Sequence, residues 1–300
     1  MAADWATTAW RAGRSAAIAA FLTVAPALAR AADLPAPPPP APTAPVAYIP
    51  TPAVPDWIVT IGGEVRAIPA WPGAPEGKFS LTGGPLLSIR QDGTLPSYFG
   101  PRDSFGFSIL DLGQFKIGPA VKIIWPRTAS SYAALNGLGN VNWALQAGAF
   151  GEYWAVPWLR LRGEVRQGFG GETGVTGDLF LDAVVPAGQF RFSAGPRMTM
   201  QSAAAVGPYY SITQDQSIGS TVSGLPELPV YRAGGGLYSY GAGTQTEYFL
   251  NQQWAAHAFV EYERLTGSAA DSPLVTQRGS PNQLMFGLGA TYSFNMHPLW

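Results

Sequence analysis

The sequence predicts an all-β fold: a transmembrane antiparallel up-and-down β-barrel of about twelve strands, with ten as the alternative. Three observations predict it. Charged residues make up only 12% of the 300, about half the share usual in a soluble protein. From Trp57 to Phe294 apolar and polar residues alternate with period two, in runs of about ten residues, the length a tilted membrane strand needs. Glycine (36), Trp (10), Tyr (12) and Phe (15) are abundant, and the aromatics gather at run ends, as in interfacial girdles. A mean hydropathy of +0.07 argues against a polytopic helical membrane protein. A net charge of −1 with no Lys/Arg cluster argues against a nucleic-acid partner. With no cysteine, disulfides, thiol catalysis and Cys-ligated metals are excluded.

Residues 1–31 read as an export signal. Arg11 and Arg14 precede the uncharged stretch Ser15–Ala29, and small residues follow at Ala29 and Ala31, so cleavage is expected after Ala31. Residues 32–56 form a Pro-rich linker. Ten prolines fall between Pro35 and Pro55, which favours extended polyproline II and forbids a sheet ladder. The barrel is expected over 57–294 and a short tail over 295–300.

Each wall segment shows two faces. Trp57, Val59, Ile61 and Val65 oppose Thr60, Gly62, Glu64 and Arg66. Phe79, Leu81 and Leu87 oppose Ser80, Thr82 and Arg90. Phe115, Ile117 and Ile123 oppose Lys116 and Lys122. Leu145 and Tyr153 oppose Gln146 and Glu152. The pattern continues over 159–166, 178–185, 190–201, 238–250, 254–263 and 283–294, with Tyr238 and Tyr240 placed on the apolar face. A soluble β-sandwich would alternate too, but its polar faces meet water and carry many Lys and Glu. Here the polar faces are rich in Gly, Ser, Thr and Arg.

Barrels of this type carry an even strand number, short periplasmic turns and longer outer loops. The segments above, with Ser104–Leu110, number eleven. A further strand at Leu95–Gly100 brings the count to twelve. Proline ends ladders, so Phe294 is expected to close the last strand ahead of Pro298.

The polar faces carry nine basic and eight acidic residues: Arg66, Arg90, Lys116, Lys122, Arg160, Arg162, Arg166, Arg191 and Arg197 against Glu64, Glu152, Glu164, Asp178, Asp182, Glu247, Glu261 and Glu263. Two readings stand: an internal salt-bridged network filling a narrow lumen, or a polarised channel for small polar or charged solutes. Catalytic chemistry has little to build on. Only two histidines exist; His297 lies past the last strand, and His257 sits on a polar face near Glu261 and Glu263. No catalytic residue, metal site or cofactor is expected, and the Gly-rich stretches match no phosphate-binding pattern.

Leu135–Val141 running into Ala147–Tyr153, then Leu161–Gln167, Gly195-Pro196, Pro208–Thr213, Tyr262–Val275 and Gly287–Phe294 resemble the MipA/OmpV family of outer-membrane proteins, the MltA-interacting proteins. The resemblance spans roughly Trp57 to Phe294, and Tyr262–Val275 is its most specific part. It implies a non-enzymatic barrel in the outer membrane of a Gram-negative bacterium, in contact with outer-membrane lipid and inserted by the barrel assembly machinery. It also implies a scaffold joining a murein-cutting lytic transglycosylase to a murein synthase.

Overall fold

The computed structural model describes residues 57–91 and 98–296. The expected signal peptide with its Ala31 cleavage point, the Pro-rich linker and residues 297–300 lie outside them. Twelve strands form one antiparallel sheet: β1 (Trp57–Pro69), β2 (Phe79–Gln91), β3 (Phe105–Gly106), β4 (Leu110–Asp111), β5 (Phe115–Ile124), β6 (Ala144–Val156), β7 (Leu159–Gly170), β8 (Val175–Ala187), β9 (Phe190–Gln201), β10 (Gly236–Phe249), β11 (Trp254–Leu265) and β12 (Asn282–Met296). The order runs β2-β1-β12-β11-β10-β9-β8-β7-β6-β5-β3, with β4 also on β5. The chain ends meet where β1 pairs with β12, Trp57 opposite Met296. So β12 continues two residues past Phe294, into the expected tail.

The alternation explains the wall. One face of each strand points outward and leaves large apolar side chains uncovered: Leu81 is 78% exposed and Leu288 66%. In water such a surface would be an aggregation site; in a bilayer it is the lipid-facing belt. Aromatic pairs mark one rim, with Trp254 and Tyr292 ring centroids 5.0 Å apart and Phe190 and Tyr248 4.9 Å apart. Tyr238 departs from the expected face. It is the extra residue of a bulge where the β9–β10 register shifts. Leu237 takes the outward position, while the Tyr238 hydroxyl meets Tyr210 at 2.8 Å.

The short turns, 112–114, 157–158, 188–189 and 250–253, all lie at one end. The long connections, 70–78, 125–143, 202–235 and 266–281, lie at the other and are not loose. Each contributes to one apolar core: Trp71 and Ala74 from the first, Ala129, Leu135 and Leu138 from the second, Ile212 and Leu228 from the third, Leu274 from the fourth. Four helices shape this cap: α1 (Ala203–Tyr210), α2 (Gln214–Val222), α3 (Gly267–Ala270) and α4 (Pro273–Arg278). The second starts with a capping box between Thr213 and Gln216. Arg278 ties the loops together, donating to the Ala134 carbonyl at 3.0 Å and contacting Ser220 and the Pro226 carbonyl.

One tight joint is at Gly137. Its φ of +84° suits glycine, and a Cβ there would lie 2.3 Å from the Gly219 carbonyl carbon. Gly137→Ala is therefore expected to cost about 1–3 kcal/mol and to loosen the cap. Limited proteolysis should then cut within 202–235 at least several-fold faster, with the barrel intact on an unboiled gel.

The described part of the expected strand at Leu95–Gly100 is not in the wall. Tyr98, Phe99 and Gly100 are not in strand, and residues 92–97 lie outside the described set. The expected strand at 104–110 is instead two short pieces, β3 and β4, both on β5. The ascending segment that parity demands does exist, but it rises inside the barrel. From the short-turn end, where β2 stops, Tyr98 to Ser104 climbs through the lumen before the chain descends through β3 and β4 and rises again as β5. The physical reason is composition: Gly100-Pro101-Arg102-Asp103-Ser104 offers no apolar alternation for lipid and two charges that need partners. Among the described residues, no ladder joins β2 to β3 or β4.

Candidate functional site: a filled lumen

The inner faces of β6 to β11 converge on the inner segment. Arg102 donates to Glu263 Oε2 at 3.0 Å and Thr199 Oγ1 at 3.1 Å, and lies 3.8 Å from Glu261 and 3.9 Å from Asp178. Asp103 accepts from Arg160 at 2.5 Å. Ser104 gives two hydrogen bonds to Glu164, from its amide at 3.1 Å and its hydroxyl at 2.6 Å. Tyr98 reaches Ser193 across the lumen at 2.7 Å.

Around that segment the wall charges form one network. Arg160, wholly buried, bridges Asp103, Glu152 (2.9 Å) and Asp182 (3.0 Å). Arg162 meets Glu164 at 2.7 Å and Glu152 at 3.3 Å. Arg166 pairs with Glu164 and Asp178. Arg197 pairs with Asp182 at 2.6 Å and Glu261 at 3.2 Å. Lys122 donates to the Arg102 carbonyl at 3.1 Å. Inward-facing aromatics back the guanidinium groups: Arg162 lies 4.0 Å over Phe150 and Arg197 5.4 Å over Phe180. Buried charges persist only when paired and hydrogen-bonded, and each of these arginines has both a carboxylate partner and a hydrogen bond.

The other expected residues sit apart. Lys116 pairs with Asp111 at 3.4 Å. Glu64 contacts Arg66 and meets His257 Nε2 at 2.7 Å, and Arg191 contacts Glu247. Arg90 stands opposite Ile58 in the β1–β2 ladder; its side chain is outside the described set. His257 is not joined to Glu261, which Arg197 and Arg102 occupy. Among the described residues no group of three His, Asp or Glu side chains could hold a metal.

Sequence reading missed Tyr98, Arg102, Asp103 and Ser104. The available signal was the charged pair next to Gly100-Pro101, with no alternation to place it on a wall. It also missed Glu172, buried between β7 and β8 and accepting from Gln146 at 2.5 Å. Burial pushes the Glu172 carboxyl above the usual carboxylate range, more than the Gln146 bond and Arg166 lower it. Its contribution to stability is therefore fully present at low pH and is lost as pH rises through the raised value. Glu172→Gln is expected to melt at a higher temperature than the parent at neutral pH, the difference vanishing below the ordinary carboxylate range. A pH series of melting curves checks this.

A lipid-facing apolar belt, an even ascending and descending chain path, short turns at one end and a charged interior together define an outer-membrane β-barrel whose lumen is partly filled by its own chain. The chain matches the family described as MltA-interacting protein MipA over residues 61–294. It belongs to that family. Similar solved structures include an outer membrane channel from Pseudomonas putida F1 (12% identity, TM-score 0.39, covering 84% of this chain and 100% of that one). The outer membrane protein OprG from Pseudomonas aeruginosa is similar at 10% identity and TM-score 0.28, covering 81% and 98%. OmpT of Vibrio cholerae is similar at 10% identity and TM-score 0.33, covering 80% and 97%. No curated protein compared with it matches. The protein resides in the Gram-negative outer membrane, its short turns in the periplasm.

Proposed function

We propose that this protein is a non-enzymatic outer-membrane scaffold that holds murein-remodelling enzymes, a lytic transglycosylase together with a murein synthase, at the periplasmic face. The observation that carries the reading is the inner segment. Arg102 and Asp103 engage charges on β7, β8 and β11 across the middle of the bore, and the folded cap covers the outer end. A barrel so occupied offers its surface rather than its interior for work. The family's description, MltA-interacting protein, agrees with this. Capture of a lytic transglycosylase from solubilised envelopes by the tagged full chain, with silent planar bilayers, is the expected result. Failure of capture sinks the scaffold. The second reading is a narrow channel for small polar or charged solutes, favoured by a cavity open at the short-turn end; steady charge-selective conductance from the unaltered protein would establish it.

A further inference from the structure

The network fills only part of the lumen. Beside the inner segment, under β1, β2 and β10 to β12, a cavity of about 640 Å³ opens at the periplasmic end. That volume lies in the range of small-ligand pockets, about 300–1,000 Å³. Among the described residues its charges are already matched: Glu64 with Arg66 and His257, Glu247 with Arg191. A charged ligand would have to displace one member of such a pair. What these residues leave on offer is neutral. Among the described residues the hydroxyls of Ser88 and Thr291 and the amides of Gln252 and Gln253 line the cavity without side-chain partners. Ile58, Leu86, Phe99 and Phe249 supply apolar wall between them. Free hydroxyls and amides interleaved with flat apolar surface complement a ring that carries hydroxyls at its edge and C–H bonds on its faces.

We propose that this vestibule binds a short uncharged saccharide from the periplasmic side. The hydroxyl and amide groups exchange hydrogen bonds with the sugar hydroxyls, and the aromatic and aliphatic wall covers the ring faces. The ligand class rests on the cavity alone; only its source, the end of a murein glycan strand rather than a free oligosaccharide, rests on the scaffold reading.

Isothermal titration of the purified full chain in detergent with triacetylchitotriose tests the class. Saturable binding is expected, with little or none for spermidine or citrate at the same concentration. Ser88→Phe, which fills the cavity, should weaken it at least tenfold, about 1.4 kcal/mol. The double variant Gln252→Ala/Gln253→Ala, at the exposed mouth where the wall is undisturbed, should weaken it several-fold. Absence of binding to about 10 mM, equal affinity in both variants, or preference for a charged probe overturns the proposal. Co-sedimentation with murein sacculi separates the sources: binding there marks strand ends, and binding of the trisaccharide alone marks a free oligosaccharide. Enzyme capture is read independently, so the scaffold can fail while the saccharide site stands.

Discussion

Arg160→Ala should lower the unfolding free energy by about 3–5 kcal/mol. The side chain is wholly buried and bridges three carboxylates, Asp103, Glu152 and Asp182. Its removal leaves their side chains buried with fewer counter-charges. The cost arises from that exposure of unpaired charge, not from the net worth of the pairs, which a hydrophobic replacement of the whole cluster could match. Arg160→Lys keeps the charge but loses the planar fork that serves three partners at once, so its effect should be intermediate. Urea titration in lipid vesicles, followed by tryptophan fluorescence, measures both. A loss below about 1 kcal/mol for the alanine variant would mean that water screens the cluster as at a surface.

Exchanging Tyr98–Ser104 for a seven-residue Gly-Ser stretch should convert a silent barrel into a conducting one. The exchange removes one charge of each sign, so net charge is unchanged and any selectivity reports the wall. It deprives Glu164 of two hydrogen bonds, Arg160 of Asp103 and Glu263 of Arg102. Stability should fall by several kcal/mol, each broken buried pair contributing about 3–5 kcal/mol at most. Single-channel recording before and after is the measurement. If the exchanged protein stays as silent as the parent, the cap and wall charges alone close the bore.

The wall was legible because its rule is local. Leu81, Val165 and Leu288 must meet lipid, their neighbours must not, and a period of two records this residue by residue. Parity was legible for a similar reason: every crossing reverses direction, so a missing ascent, expected as a wall strand at Leu95–Gly100, could be counted. Its placement was not legible. Whether Arg102 lies on a wall or in the bore depends on Asp178, Glu261 and Glu263, up to 161 positions away, and spacing carries no record of such partners. Tyr238 misled because one extra residue in β10 inverts the face of everything beyond it. The cap was hidden as loop text, since Trp71, Leu135, Ile212, Leu228 and Leu274 have no common period and become a core only when four connections assemble. Of the segments carrying the family resemblance, Leu135–Val141, Pro208–Thr213 and most of Tyr262–Val275 fall on that cap, while Ala147–Tyr153, Leu161–Gln167, Gly195-Pro196 and Gly287–Phe294 fall on the wall.

The inner segment also sets how the molecule can come together. The sheet's two ends in sequence, β1 and β12, are partners more than 200 residues apart, whereas the inner segment leaves β2 and must be inside before β5 to β12 curl round it. Arg102 then reaches Glu261 and Glu263 on β11, and Glu64 on β1 reaches His257 on β11, only when the curl is nearly complete. A half-wrapped sheet would hold several unmatched charges against hydrocarbon. Intermediates of that kind should be sparsely populated, and the barrel should appear in one cooperative step, with no stable partly wrapped species for periplasmic proteases to intercept.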